Sequence, residues 1–184
     1  AANFNGAVTL SYTVTDGQGG SQAAARSPNL APANDAPVAS AVTGAASEDG
    51  PSVTVASSFT DADAGDSHTF AVNTAGTLGA VTNNNDGTFT YSPAGAFETL
   101  SAGQTATDTF SYTVTDAAGA ASTATVTITI TGQNDAPVAL AVTGSVGEDG
   151  PAATVSASFT DADGANTHTF AVNTTGLQGG VTNN

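Results

Sequence analysis

Between residues 123 and 131 the chain alternates strictly, with Ala124, Val126, Ile128 and Ile130 set between Thr125, Thr127, Thr129 and Thr131. A period of two sends successive side chains to opposite faces of an extended backbone, so this stretch predicts a strand with one apolar and one hydroxyl face. Residues 108–115 repeat the pattern with Phe110, Tyr112 and Val114 inward, and Asp116-Ala117-Ala118-Gly119 reads as the turn joining the two into a hairpin. Val53, Val55 and Phe59 mark a third strand, and Phe70 with Val72 a fourth. The turn signal Asn85-Asp86-Gly87 leads into a fifth at Thr88-Phe89-Thr90-Tyr91. Weaker alternation at 38–43 and 80–82 supplies two more. No stretch repeats apolar residues at the roughly 3.6-residue period of a helix. About seven short strands in about one hundred residues predict an all-β fold, a sandwich of immunoglobulin-like architecture. Without any Cys or Trp, it is not an antibody-type domain.

The pattern itself recurs. Asn34-Asp35-Ala36-Pro37-Val38-Ala39 returns as Asn134-Asp135-Ala136-Pro137-Val138-Ala139, and residues 34–84 match 134–184 at 35 of 51 positions. The same register carries Ser11-Tyr12-Thr13-Val14-Thr15-Asp16 onto Ser111-Tyr112-Thr113-Val114-Thr115-Asp116. The chain therefore reads as tandem domains of about one hundred residues. Residues 1–33 are the last strands of one unit, 34–133 a complete unit, and 134–184 the first half of a third. Residues 21–33 depart from the repeat, because Arg26 and Pro28 stand where the complete unit has Val126 and Ile128. An arginine and a proline at inward positions break a strand or push it to an edge, so this stretch is expected to be an irregular connector.

Composition narrows the function. Sixteen acidic residues face a single base, Arg26, for a net charge of −15. Nucleic acid phosphates and anionic membrane surfaces would repel such a chain. Cysteine is absent, which excludes disulfides and thiolate metal sites. No run approaches the roughly 18 apolar residues of a membrane span, and no signal-peptide pattern opens the sequence.

The acidic residues fall at strand ends and recur with the repeat. Asp61-Ala62-Asp63 and Asp161-Ala162-Asp163 each put two carboxylates on one side of an extended backbone. Glu48-Asp49-Gly50-Pro51 recurs as Glu148-Asp149-Gly150-Pro151, Asp116 lies in the hairpin turn, and Asn34-Asp35 in the linker. Oxygen ligands without nitrogen or sulfur suit a hard cation, and flexible multi-carboxylate clusters suit calcium better than magnesium. Asp and Asn also cap turns and keep an acidic surface soluble, a reading that stands beside the cation one.

These residues carry a resemblance. The run LSAGQTATDTFSYTVTD (100–116), followed by Thr-rich alternation and Gly132-Gln133-Asn134-Asp135, resembles the VCBS-type repeat of giant bacterial surface proteins. Residues 3–20, NFNGAVTLSYTVTDGQGG, are similar to the related bacterial cadherin-like repeat. The resemblance implies secreted or surface-anchored proteins, often type I-secreted adhesins of the RTX class, whose tandem domains form stalks with calcium stiffening the joints. By the more distant analogy to cadherins, one joint would use Asn34, Asp35, Asp61, Asp63 and Asp116. The next would use Asn134, Asp135, Asp161 and Asp163, with Glu48 or Glu98 reaching over from the complete unit. Asp66 becomes Asn166 and Gly65 shifts to Gly164, so the two loops differ; Asn3 and Asn5 stand near where Glu98 sits in the repeat.

Catalytic chemistry finds no footing. His68 and His168 occupy equivalent positions before Phe70 and Phe170 and read as outward-facing strand residues, without a nucleophile and orienter beside them. Paired acids also serve glycoside hydrolysis, but that chemistry needs a cleft, usually with aromatics, and this chain has no Trp and three Tyr. Gly17–Gly20 lies in a hairpin turn rather than a phosphate loop. The sequence thus predicts no enzyme but an extracellular, calcium-stiffened spacer of a bacterial adhesin or surface fibre, whose partners are its neighbouring repeats. Two alternatives remain: a sandwich binding module for glycan or protein, and a fibre subunit in which head-to-tail copies complete each other's half domains.

Overall fold

The structure, a computed structural model, describes residues 6–183, and every regular element among them is a strand. The opening unit contributes β1 (Gly6–Ala7), β2 (Leu10–Thr15), β3 (Ser21–Arg26) and β4 (Asn29–Leu30). The complete unit contributes β5 (Val38–Ser40), β6 (Val42–Ser47), β7 (Val53–Ala56), β8 (Ser58–Thr60), β9 (Thr69–Asn73), β10 (Ala80–Asn83), β11 (Thr88–Ser92), β12 (Thr105–Thr115) and β13 (Ala121–Thr131). The described residues of the third contribute β14 (Val138–Leu140) and β15 (Ser158–Thr160).

In the complete unit the longest alternating runs become the longest strands, β12 and β13, paired antiparallel from Thr105↔Thr131 to Thr115↔Ala121. Their hydroxyl faces look outward and their apolar faces inward, which suits the β propensity of Thr, Val and Ile. One sheet runs β6-β13-β12-β9, with β6 parallel to β13, and the facing sheet runs β10-β11-β7. A short β5-β8 pair extends the architecture at one end. Phe89, Tyr91, Phe110, Tyr112, Val126, Ile128 and Ile130 fill the space between the sheets. Phe89 meets Phe110 edge-on at 5.8 Å, a geometry that aromatic quadrupoles favour, and Tyr112 at a tilt at 5.4 Å. Tyr112 lies wholly in the core, so its hydroxyl needs a partner, and it donates to the Ser40 carbonyl at 2.7 Å. That bond pins β5 to the middle of the opposite sheet. Gly44 lets β6 come close: a Cβ there would stand 2.8 Å from the Ile128 side chain and 2.9 Å from that of Val55.

Residues 21–33 depart from their expected irregularity. Residues 21–26 form β3, paired with β2 from Leu10↔Arg26 to Thr15↔Ser21, and β4 pairs with β1. Arg26 is tolerated because every residue of β2 and β3 is exposed, with nothing among the described residues covering the hairpin. Pro28 ends the ladder only locally, its carbonyl accepting from Val8 N at 3.0 Å. Asn3 and Asn5 lie outside the described residues.

Candidate metal centre

The acidic residues gather at the two ends of the complete unit because strand ends deliver them there. Its N-terminal end collects the stretch before β5, the loop after β8, and the β12–β13 turn. Asn34 donates through Nδ2 to Asp116 Oδ2 at 2.8 Å, and Asp35 N to Asp63 Oδ2 at 2.6 Å. Asp61 accepts from Asp63 N at 2.9 Å through Oδ1 and from His68 Nε2 at 2.7 Å through Oδ2. All five residues named for this joint meet here. Asp66, which sequence reasoning noted only as a difference between loops, joins them: carboxylate oxygens of Asp61, Asp66 and Asp116 lie within 4.8 Å of one another. Its signal was its place in the same loop, three residues after Asp63, where its N–H donates to the Asp63 carbonyl at 3.3 Å.

The C-terminal end draws on three parts of the chain. Carboxylate oxygens of Asp49, Glu98 and Asp135 lie within 4.8 Å of one another. Glu48 and Asp49 come from the β6–β7 turn, Glu98 from the segment after β11, and Asp135 from the linker. Glu48 accepts from Gln133 N through Oε1 at 2.5 Å, locking the start of the linker onto the sandwich. Beyond the linker the first joint's geometry repeats: Asp135 N donates to Asp163 Oδ2 at 3.0 Å, and Asp163 N to Asp161 Oδ1 at 3.0 Å. Asn166, standing where the first loop has Asp66, donates through Nδ2 to Asp163 Oδ2 at 2.7 Å and to Asn134 Oδ1 at 3.4 Å. Asp49 was missed by sequence reasoning, which took only its neighbour Glu48 from the Glu-Asp-Gly-Pro motif. No periodicity exists in a turn to tell which of two adjacent acids faces a joint.

Electrostatics separate the two ends. Hydrogen bonds dominate at the first: His68 holds Asp61 below the usual carboxylate range and Asn34 does the same for Asp116. At the second, His168 likewise holds Asp161 down, but burial first, then the charges of Asp49, Asp163 and Asp161, push Asp135 up. Glu98 is likewise raised by burial and by Asp49, Asp135 and Glu48. Three buried carboxylate oxygens at this end, Glu48 Oε2, Asp135 Oδ2 and Asp163 Oδ1, have no hydrogen-bond partner, and Glu48 and Asp163 are each only 4% exposed. Buried acceptors without donors are costly, more so among like charges. A hard cation bound by oxygens answers both problems at once, so the donor set fits one.

The histidines differ from their expected outward placement. His68 lies just before β9, with His168 at the equivalent position, and both are turned in against Asp61 and Asp161, with side chains 13% and 23% exposed. The opening unit adds no carboxylate to the first joint's cluster among the described residues. Asp16 instead binds its own turn, accepting from Gln18 N at 2.8 Å and Gly20 N at 3.0 Å.

Comparison with known proteins gives the geometry a context. A family model described as the bacterial cadherin-like domain matches residues 34–132. No curated protein matches the sequence. Among solved structures, extracellular cadherin domains 1–4 of protocadherin gamma B7 are similar, with a TM-score of 0.54 at 20% identity over 86% of this chain and 41% of that one. Domains 1–5 of protocadherin gamma B2 give a TM-score of 0.56 at 20% identity over 88% of this chain and 32% of that one. The chain thus spans less than half the length of either, and at such identity the likeness is one of fold.

Proposed function

Since the chain belongs to the bacterial cadherin-like domain family, we propose that it is a segment of an extracellular stalk whose joints are stiffened by calcium. The family is a non-enzymatic one, and the role is mechanical: successive sandwiches hold something at a distance from a bacterial surface or within a secreted adhesin. Asp161, Asp163, Asn134 and Asp135 hold the ion from one side of the second joint, and Glu48, Asp49 and Glu98 from the other. Asn34, Asp35, Asp61, Asp63, Asp66 and Asp116 form the corresponding half at the first. A divalent ion supplies positive charge where the carboxylates otherwise repel, reversing the sign of the interaction between neighbouring units.

The observation that supports this reading is the set of unpartnered buried oxygens on Glu48, Asp135 and Asp163. They come from the preceding unit, the linker and the following unit, so an ion that drew on all three would bridge the joint. Extracellular calcium modules bind with Kd of about 10⁻⁴ to 10⁻³ M, which sets the working range. Small-angle scattering of the chain in millimolar calcium and then in chelator tests the idea. The expected outcome is a longer, narrower distance distribution with calcium and a broader, more compact one without it. Profiles that superimpose, with no calcium uptake by titration calorimetry, would sink the reading.

A further inference from the structure

One histidine per unit stands beside each Asp-x-Asp loop, and the two pairs are built alike. His68 Nε2 lies 2.7 Å from Asp61 Oδ2, and His168 Nε2 lies 2.5 Å from Asp161 Oδ2. Each ring is backed by a phenylalanine, Phe59 at 4.7 Å and Phe159 at 4.5 Å between centroids, both tilted. Both aspartates are almost wholly covered, with side-chain exposures of 6% and 5%. Between them, the loop has changed at four consecutive positions, Ala64-Gly65-Asp66-Ser67 against Gly164-Ala165-Asn166-Thr167. The histidine contact persists through all of these changes, so it does not depend on the details of the loop.

We infer that His68 and His168 are positioning residues for the metal-binding carboxylates of Asp61 and Asp161. The inference rests on the calcium reading and adds the groups that aim its ligands. The Nε2–H occupies one lone pair of Oδ2, while the N–H two residues on occupies one of Oδ1. Together they fix the carboxylate plane and leave a lone pair on each oxygen for a cation. The loop alone does not hold that plane. At the first joint, Asp66 and Asp116 approach Asp61 within 4.8 Å, and their repulsion turns an untethered carboxylate toward solvent. An imidazole donates a hydrogen bond while uncharged, so it orients the ligand without competing with the ion as lysine or arginine would. The phenylalanine behind it keeps the ring from swinging away. Groups that orient metal ligands from behind typically account for 10- to 100-fold in metal affinity.

The test uses the full chain, with calcium uptake followed by titration calorimetry and thermal unfolding followed in chelator. His68→Phe/His168→Phe is expected to bind calcium about tenfold more weakly or worse, with its unfolding temperature in chelator little changed. His68→Gln/His168→Gln, whose amide N–H reaches the same oxygen, is expected to recover most of that loss. Phenylalanine variants that bind as tightly as the unaltered chain overturn the inference. Equal losses in the Phe and Gln variants, accompanied by equal losses of stability in chelator, overturn it as well, because they mark a structural histidine. If the unaltered chain takes up no calcium, the calcium reading falls first and this inference with it.

Discussion

Asp108 is the residue on which the complete unit's interior most depends for polar order. It is 4% exposed and accepts from Gly79 N at 2.8 Å, Leu78 N at 3.0 Å, the Tyr91 hydroxyl at 2.8 Å and Thr109 N at 2.9 Å. Burial pushes its pKa up, but these donors outweigh burial and leave it below the usual carboxylate range. Burial and the facing Asp108 carboxylate push the Tyr91 phenol well above its ordinary value, so it stays a donor. Because Asp108 is more acidic folded than unfolded, its contribution is present above an unfolded pKa of about 4 and fades as pH falls through the lower folded value. Asp108→Asn sets an amide N–H₂ against several N–H donors and is expected to cost about 2–3 kcal/mol in urea unfolding at pH 7. The gap between the two proteins should narrow below about pH 4. A gap that holds constant from pH 7 to pH 3 would show that the charge is not what matters. Asp108 is in phase with Phe110 and Tyr112, which the period of two turns inward. Nothing in that period names its partners, which come from residues 78, 79 and 91 and meet it only when the sheets close.

At the scale of elements, a strand forms here when its partner is present. The stretch 138–140 pairs with 158–160 as β14 and β15, mirroring β5 and β8, because both members lie in the chain. The counterparts of β6, β7, β9 and β10 at 142–147, 153–156, 169–173 and 180–183 are not strands, although each repeats the complete unit's sequence at half or more of its positions. In the complete unit those strands pair with β13, β11 and β12, and residues 134–184 contain no counterpart of any of these. Apolar side chains that would face a core, such as Val155, Phe170 and Val172, are exposed accordingly. Appending a copy of residues 85–133 after residue 184 is therefore expected to protect the amides of 142–147 and 169–173 from hydrogen exchange. Exchange that stays as fast as before would contradict partner-dependent strand formation. Close approach matters at this scale too. A Cβ on Gly79 would stand 2.5 Å from both the Ser92 carbonyl and the Tyr91 hydroxyl, against nothing within 4 Å at Gly180. Gly79→Ala should destabilise by about 2 kcal/mol or more, through overpacking and the disturbed Asp108 cradle. Gly180→Ala should be near neutral by the same urea assay.

Across the whole molecule, the two joints are related but unequal. The second has acids on both sides of the linker, and the first draws its described cluster from one side only. Calcium that binds the folded chain raises stability by RT ln(1 + [Ca]/Kd) per ion. At about 10 mM calcium and Kd of about 0.1–1 mM, that amounts to about 1.4–2.7 kcal/mol. Asp163→Asn, which removes a buried charge whose Oδ1 has no donor, is expected to forfeit this gain at the second joint while leaving stability in chelator little changed. Thermal unfolding with and without calcium checks both halves. A variant that responds to calcium as the unaltered chain does would remove Asp163 from the ligand set.

Read alone, the chain was legible in its strands, its hundred-residue period and the acids at its strand ends, because pleat, turn and repeat are local properties written in neighbouring residues. The same local reading made residues 21–33 irregular and turned the histidines outward. It lacked the fact that an unpacked hairpin tolerates arginine, and it could not see Phe59 and Asp61 folding back on His68. The cradle around Asp108, the choice of Asp49 beside Glu48, and the three unpartnered oxygens of the second joint all depend on groups far apart in sequence. Those were decided only when the sheets closed and the linker docked, since burial, repulsion and missing partners are properties of assembled neighbours rather than of the residues themselves.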